Sequence, residues 1–372
     1  MRSAKMEKIY RILVINPGST STKLSMFENE TCLFTEDVFH DSSVLKKFPT
    51  INDQLDYRME VVDKFLKDGN IDLTGVDAIV GRGGGCYSVE GGIYKIDDRL
   101  IQDTKAAKGG LYHSSMLGVQ MADVLHKKYG GIMIMMNPPI VDELCDLARV
   151  TGVDGVYRRA VCHALNLKET ARRHAISLGK KYEDCNFIVC HIDGGISITA
   201  HKKGKMIDGN DAGGGEGPFT PTRMGTMAVT DITRYFWDKT QAEMKSLCSQ
   251  TGGLSSYFGT SNSDNIHKKV EEGDRKAIRV WNAMIYQVIK YIGSMSTVLQ
   301  GKVDGIVLTG GLLRFPEIEE KIRESCGWIA PVTSYPGEFE QEAMAFGALR
   351  VLRGEEEAKI YPGKPVWDGF KD

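Results

Sequence analysis

No run in this sequence reaches the ~18 consecutive apolar residues that a membrane-spanning helix needs, so none is expected. Charge excess is missing as well, because 47 Lys and Arg stand against 49 Asp and Glu, a formal net charge of −2. That balance supplies no broad basic field of the kind that wraps nucleic acid or docks on an anionic membrane. Neither partner is expected, and any anion must be held locally. Paired cysteines are lacking too. Cys32, Cys86, Cys145, Cys162, Cys185, Cys190, Cys248 and Cys326 are scattered, form no CxxC and sit mostly in apolar runs, which predicts reduced core thiols rather than a disulfide framework or a zinc site. The opening Met1–Lys8 runs into Ile9–Asn16, an apolar stretch too short and interrupted for a secretion signal. The expected address is the cytoplasm.

What is present is an ordinary globular composition, 42% hydrophobic and 26% charged, with 41 glycines whose clustering carries the information. A chain of 372 residues exceeds what one core usually supports, so two domains with a cleft between them are expected. Short β-branched runs ending in polar or glycine residues predict strands at 11–16, 77–81, 131–137, 187–193 and 305–310. Apolar residues at three-to-four spacing predict helices over 52–67, 114–129, 163–181, 264–272, 277–299 and 340–353. Strands alternating with helices indicate an α/β protein.

An internal repeat sharpens this. Val76-Asp-Ala-Ile-Val-Gly-Arg-Gly-Gly84 and Val303-Asp-Gly-Ile-Val-Leu-Thr-Gly-Gly311 share six of nine residues. A weaker echo joins Leu13–Ser21 to Ile188–Ser197, each a strand entering a Gly-containing polar turn before a second strand (23–28 and 196–201). Both echoes occur in the same order, which predicts duplicated domains.

Asn16-Pro-Gly-Ser-Thr-Ser-Thr-Lys23 is a tight Gly/Ser/Thr turn that exposes backbone N–H groups and hydroxyls toward one point, the way phosphate oxygens are held without a basic patch. The GxxxxGK[ST] spacing of a Walker loop is absent. A plain hairpin turn with its hydroxyls in water fits the same residues. His191-Ile-Asp-Gly-Gly-Ile-Ser197 is the partner turn and Leu308-Thr-Gly-Gly-Leu312 a third. Three such turns in duplicated halves imply a shared phosphate-bearing ligand.

Taken in order, Asn16–Lys23, Gly81-Arg-Gly-Gly84, Phe219-Thr-Pro-Thr-Arg-Met-Gly225 and Leu308-Thr-Gly-Gly311 resemble the acetate and butyrate kinase family, from about residue 9 to about residue 353. The Asn-Pro-Gly-Ser-Thr-Ser form of the first turn and Gly217-Pro-Phe-Thr-Pro221 tilt the resemblance toward the four-carbon branch. The resemblance implies two duplicated actin-like ATPase (ribonuclease H-like) domains, 1–150 with 341–372 and 151–340, and a nucleotide cleft. It also implies reversible, ATP-dependent phosphorylation of a short-chain fatty acid, butyrate or a branched-chain analogue, by direct in-line transfer, in at least a homodimer.

By the same resemblance Arg82 and Arg223 flank the transferring phosphoryl group. Forked, permanently charged guanidinium donors suit its oxygens. His163 and His191 stand near the phosphates, Asn16, Ser19, Ser21 and Lys23 take part in the first turn, and Gly194, Gly195, Gly310 and Gly311 lie near ATP. Glu340, with Glu342 as a rival, is the expected Mg2+ residue, although acids in a helix's first turn also suit its dipole.

Two positions depart from the family pattern. Asn137 stands where an aspartate is expected, and an amide neither neutralises a cation nor accepts a proton at neutral pH. The acid's role then falls to Asp142 or Glu143, or the substrate does not require it, or the chain is a catalytically impaired nucleotide-binding protein of the same fold. Asp193 replaces a glycine common in the second turn. Cys162, where acetate kinases carry phenylalanine, leaves room for a longer acyl chain.

Overall fold

The computed structural model describes residues 8–110 and 112–371, so the opening Met1–Glu7 lies outside the described residues. The chain divides into two compact units, Met1–Val141 with Glu340–Asp372, and Asp142–Phe339.

The first unit is built on a six-stranded sheet of β1 (Arg11–Pro17), β2 (Ser21–Glu28), β3 (Thr31–Phe39), β4 (Ala78–Gly81), β5 (Ile93–Lys95) and β6 (Ile132–Met136), in the order β3-β2-β1-β4-β6-β5. β1 and β2 form an antiparallel hairpin, whereas β4 and β6 continue parallel to β1. Ile12, Leu13, Val14 and Ile15 are all fully buried, as expected of a central strand covered on both faces. Helices Leu117–Tyr129 and Glu340–Leu352 pack on β1 and β4. Helix Leu55–Asp68 turns Val62 and Phe65 into the core, where a fully buried phenylalanine contributes roughly 2–3 kcal/mol.

The second unit repeats the plan with β7 (Asn186–Ile192), β8 (Ile196–Lys202), β9 (Lys205–Gly209), β10 (Gly305–Gly310) and β11 (Val332–Pro336), ordered β11-β10-β7-β8-β9. Again a hairpin and its antiparallel third strand lie on one side of the central strand and parallel strands on the other. The 24-residue helix Arg275–Val298 starts at an Asp274 cap on Ala277 N–H and buries Trp281, Met284, Ile285, Val288 and Ile292 at helical spacing.

The two sequence echoes occupy matching places. The weaker echo, Leu13–Ser21 with Ile188–Ser197, forms the central strands β1 and β7, and the repeat Val76–Gly84 with Val303–Gly311 forms their parallel neighbours β4 and β10. The helix expected to reach residue 181 stops at Ser177 instead. Gly179 takes a left-handed φ of 68° there, and Lys180 N–H returns to the Ala175 carbonyl at 2.9 Å, a glycine-dependent stop.

Candidate active site

In the first unit Asn16 lies one residue before the end of β1, and Arg82 directly follows β4, its parallel neighbour. Helix Leu117–Tyr129 crosses so closely here that a Cβ on Gly81 would strike the Gly118 backbone and one on Gly118 would strike that of Arg82. Two glycines therefore let a helix hold the Arg82 backbone in place. Arg82 as a whole is 5% exposed. It donates to Glu340 Oε1 at 3.0 Å and to the Asn137 carbonyl at 3.3 Å. Asn16 Nδ2 donates to the other Glu340 oxygen at 2.8 Å. Asn16 and Arg82, drawn from positions far apart in the chain, thus converge on the Glu340 carboxylate, and the Asn137 carbonyl meets it only through Arg82.

Asn137 has a local reason for its side chain. Its φ is 38°, a left-handed conformation that asparagine tolerates better than most residues, and its Oδ1 accepts from Gly92 N–H at 2.7 Å. The two acids considered as substitutes hold other partners. Asp142, 7% exposed, is bidentate with Arg149 at 2.7 and 2.8 Å, while Glu143 pairs with Lys168 at 2.9 Å and accepts from Met206 N–H.

The turn Asn16–Lys23, expected to hold phosphate, closes through Gly18 N–H to the Ser21 carbonyl at 2.8 Å. Ser19 Oγ meets His113 Nε2 at 2.9 Å, and Lys23 sits 3.8 Å from Asp37. Behind the turn lies Arg58, fully buried and bonded to the Gly18 and Ser21 carbonyls. Sequence reasoning missed it, since an arginine inside an amphipathic helix reads as a solvated face.

In the second unit His163 precedes helix Ala164–Ser177, its Nδ1 2.8 Å from Ser197 Oγ and its ring stacked on His191 at a centroid distance of 4.0 Å. Asn166 was also missed. Its Oδ1 accepts from Phe339 N–H at 3.0 Å, which fixes the amide so that Nδ2 faces His191 Nδ1 at 2.9 Å. Neutral His191 therefore carries its proton on Nε2, facing Glu338 at 3.6 Å.

The remaining groups cluster at the glycine turns. Asp193 accepts from Gly194 N–H at 2.7 Å and from Gly311 N–H at 2.6 Å, tying the β7 and β10 turns together. Thr220 and Thr222 both donate to the Gly194 carbonyl, and the Arg223 guanidinium lies against Gly195 where any Cβ would collide with it. Arg223 donates to the Ala212 carbonyl. Its Nε is buried without an acceptor among the described residues, and burial lowers its pKa. Gly310, at φ 112°, passes so close to Ile192 that no side chain fits. His191, Asp193 and Glu338 bring ligand atoms within 4.8 Å of one another. Cys162 is buried, which pushes its thiol up to about 12.

Residues 151–325 match the model of the Acetokinase family. A probable butyrate kinase of Clostridium botulinum (strain Alaska E43 / Type E3) is 43% identical over 95% of this chain and 99% of its own. The chain belongs to the acetate and butyrate kinase family. Butyrate kinase 2 of Clostridium acetobutylicum is 42% identical over the same shares, 95% and 99%. Porphyromonas gingivalis acetate kinase, at 17% identity, covers 92% of this chain and 100% of itself with a TM-score of 0.76, a likeness of fold. As a member of the acetate and butyrate kinase family the chain has the actin-like ATPase fold in two copies and is a phosphotransferase that uses ATP on a carboxyl acceptor.

Proposed function

We propose that this chain phosphorylates a short-chain fatty acid, butyrate or a branched-chain analogue, from ATP, giving an acyl phosphate and ADP reversibly by direct in-line transfer. The observation that carries the reading is a guanidinium set in a glycine turn in each unit, Arg82 with Glu340 and Arg223 over Gly195, the latter with a buried Nε that has no acceptor among the described residues. Such donors suit a loose transition state whose charge is spread over three phosphoryl oxygens.

The acceptor is already an anion at neutral pH, so no group need take a proton from it. Asn137 can then serve by shape, presenting its carbonyl to Arg82 and holding Gly92. His191 Nε2–H, oriented by Asn166, is a fixed donor, and His163 stacked on it is a second. Ser19, Ser21 and Lys23 line the first phosphate turn, and Gly194, Gly195, Gly310 and Gly311 let the nucleotide approach the backbone.

Mg2+ belongs to the proposal. Glu340 supplies the hard carboxylate oxygens such an ion prefers, so the donor chemistry fits. When bound, the ion would neutralise phosphate charge. The small buried Cys162 beside His163 favours an acyl chain longer than acetate. No helix among the described residues is long and apolar enough to cross a membrane. The proposed setting is the cytoplasm, where free cysteines stay reduced, and the proposed assembly is at least a homodimer.

The test is hydroxamate trapping of acyl phosphate from magnesium-ATP with formate, acetate, propionate, butyrate, isobutyrate and valerate. A maximum at four carbons is expected. A maximum at acetate would move the chain to the two-carbon branch, and no product from any acid would overturn the reading.

A further inference from the structure

Arg58 is fully buried in helix Leu55–Asp68, yet none of its hydrogen-bond partners is an acid. Nε and Nη2 donate to Gln54 Oε1 at 3.2 and 3.1 Å, Nη2 also to the Gly18 carbonyl at 3.0 Å, and Nη1 to the Ser21 carbonyl at 3.0 Å and to Thr22 Oγ1 at 2.9 Å. All five of its N–H groups are used, and every acceptor is neutral. Burial pulls its pKa down to about 10, which still leaves it cationic at neutral pH.

A charge taken from water without a counter-ion is costly, and cores usually avoid one. The arrangement becomes intelligible from the turn it supports. The Gly18 and Ser21 carbonyls face Arg58, and the Thr20 carbonyl accepts from His40 N–H at 2.8 Å. With these three carbonyls drawn into the protein, the N–H groups of Ser19 and Thr20 take no acceptor among the described residues, and both residues are exposed. Successive outward N–H groups of this kind form an anion-binding concavity.

We propose that Arg58 is the positioning residue of the first phosphate turn, pinning its carbonyls inward so that its N–H groups face a nucleotide phosphate, and that this phosphate supplies the negative charge the buried guanidinium lacks. The inference rests on the reading of Asn16–Lys23 as a phosphate turn. It makes the turn a two-layer device, with donors in front and a cation behind, in which ligand and core are electrostatically coupled.

The experiment compares wild type with Arg58→Met, Arg58→Lys and Lys23→Ala in KM for ATP, KM for butyrate, kcat, and the Tm increase produced by magnesium-ADP. Arg58→Met lowers Tm on either view, so Tm alone decides nothing. The proposal expects Arg58→Met to raise KM for ATP by roughly tenfold or more, to leave KM for butyrate within about twofold, and to shrink the ADP-induced Tm increase. A merely structural buttress moves neither the KM nor the ligand-induced increase. Should Arg58→Met fail to fold, Arg58→Lys carries the test: it keeps the charge, loses the fork across Gly18 and Ser21, and raises KM for ATP by about fivefold. An unchanged KM for ATP in the folded Arg58 variant overturns the inference alone if Lys23→Ala raises it. If Lys23→Ala leaves KM unchanged as well, the reading of the turn falls with it.

Discussion

Arg82 and Glu340, 258 residues apart in sequence, meet at 3.0 Å with 6% and 17% of their side chains exposed. The pair joins the residue after β4 to the first turn of the last helix of the first unit, and Asn16 completes it on the second carboxylate oxygen. Removing either partner costs the other this ion pair, so the two losses overlap. Arg82→Ala and Glu340→Ala are each expected to lower kcat by about a hundredfold or more, and the double variant by much less than the product. A double-mutant cycle on acyl phosphate formation measures this, and full additivity would show that the contact has no part in turnover.

Asn137 holds a left-handed backbone position and accepts from Gly92 N–H. Asn137→Ala is expected to cost roughly 2 kcal/mol in stability, from the strained φ and the lost acceptor. Asn137→Asp keeps both features and is expected to fold with an unchanged Tm and with kcat within about tenfold of wild type. Thermal denaturation beside the hydroxamate assay checks both variants. An inactive wild type revived by Asn137→Asp would mean that the acid is required.

The Asp193 carboxylate occupies two backbone donors, Gly194 N–H and Gly311 N–H, in turns proposed to hold nucleotide. A phosphate oxygen must compete with it there. Asp193→Gly is expected to tighten metal-free ADP binding by roughly tenfold in calorimetric titration. Weaker binding would mean that the carboxylate instead orders the turns for the ligand.

His40 is 6% exposed, its Nε2 2.8 Å from Thr22 Oγ1 and its Nδ1 3.1 Å from Tyr57 Oη. Burial, with the nearby Arg58 charge, lowers its pKa from 6.5 to about 4. Between those values the unfolded chain binds the proton and the folded one does not, so stability falls as pH drops through the window. The loss reaches about 3 kcal/mol below pH 4. His40→Gln is expected to flatten the fall of Tm between pH 6.5 and 4, and an unchanged slope would remove His40 as its source.

The parts of this protein that come from local chemistry were readable in the sequence. β10 was delimited as Gly305–Gly310 because a β-branched run ends on a glycine pair, and the echo of Val76–Gly84 in Val303–Gly311 gave the duplication. Edge strands were not readable. β3 alternates only weakly, its side chains partly exposed along its length, so no apolar period marks it. Helix Pro316–Cys326 was overlooked although Pro at its start and Ile318, Ile322 and Cys326 at four-residue spacing mark it. Arg58 and Asn166 were hidden for a deeper reason. Each does its work through partners 25 to 173 residues away, and no spacing rule reports a contact that only the fold creates.

Helix Glu340–Leu352 packs on β1, β4 and β6 of the first unit after the whole second unit, Asp142–Phe339, has intervened in the chain. During synthesis, therefore, the second unit leaves the ribosome as one continuous piece while the first still waits for its closing helix. Domains fold as units as they emerge, so the earlier-made sheet is the later one to be finished. The carboxylate that engages Arg82 arrives with that helix, and a nascent or prematurely ended chain cannot assemble the Arg82–Glu340 pair before its own core is sealed.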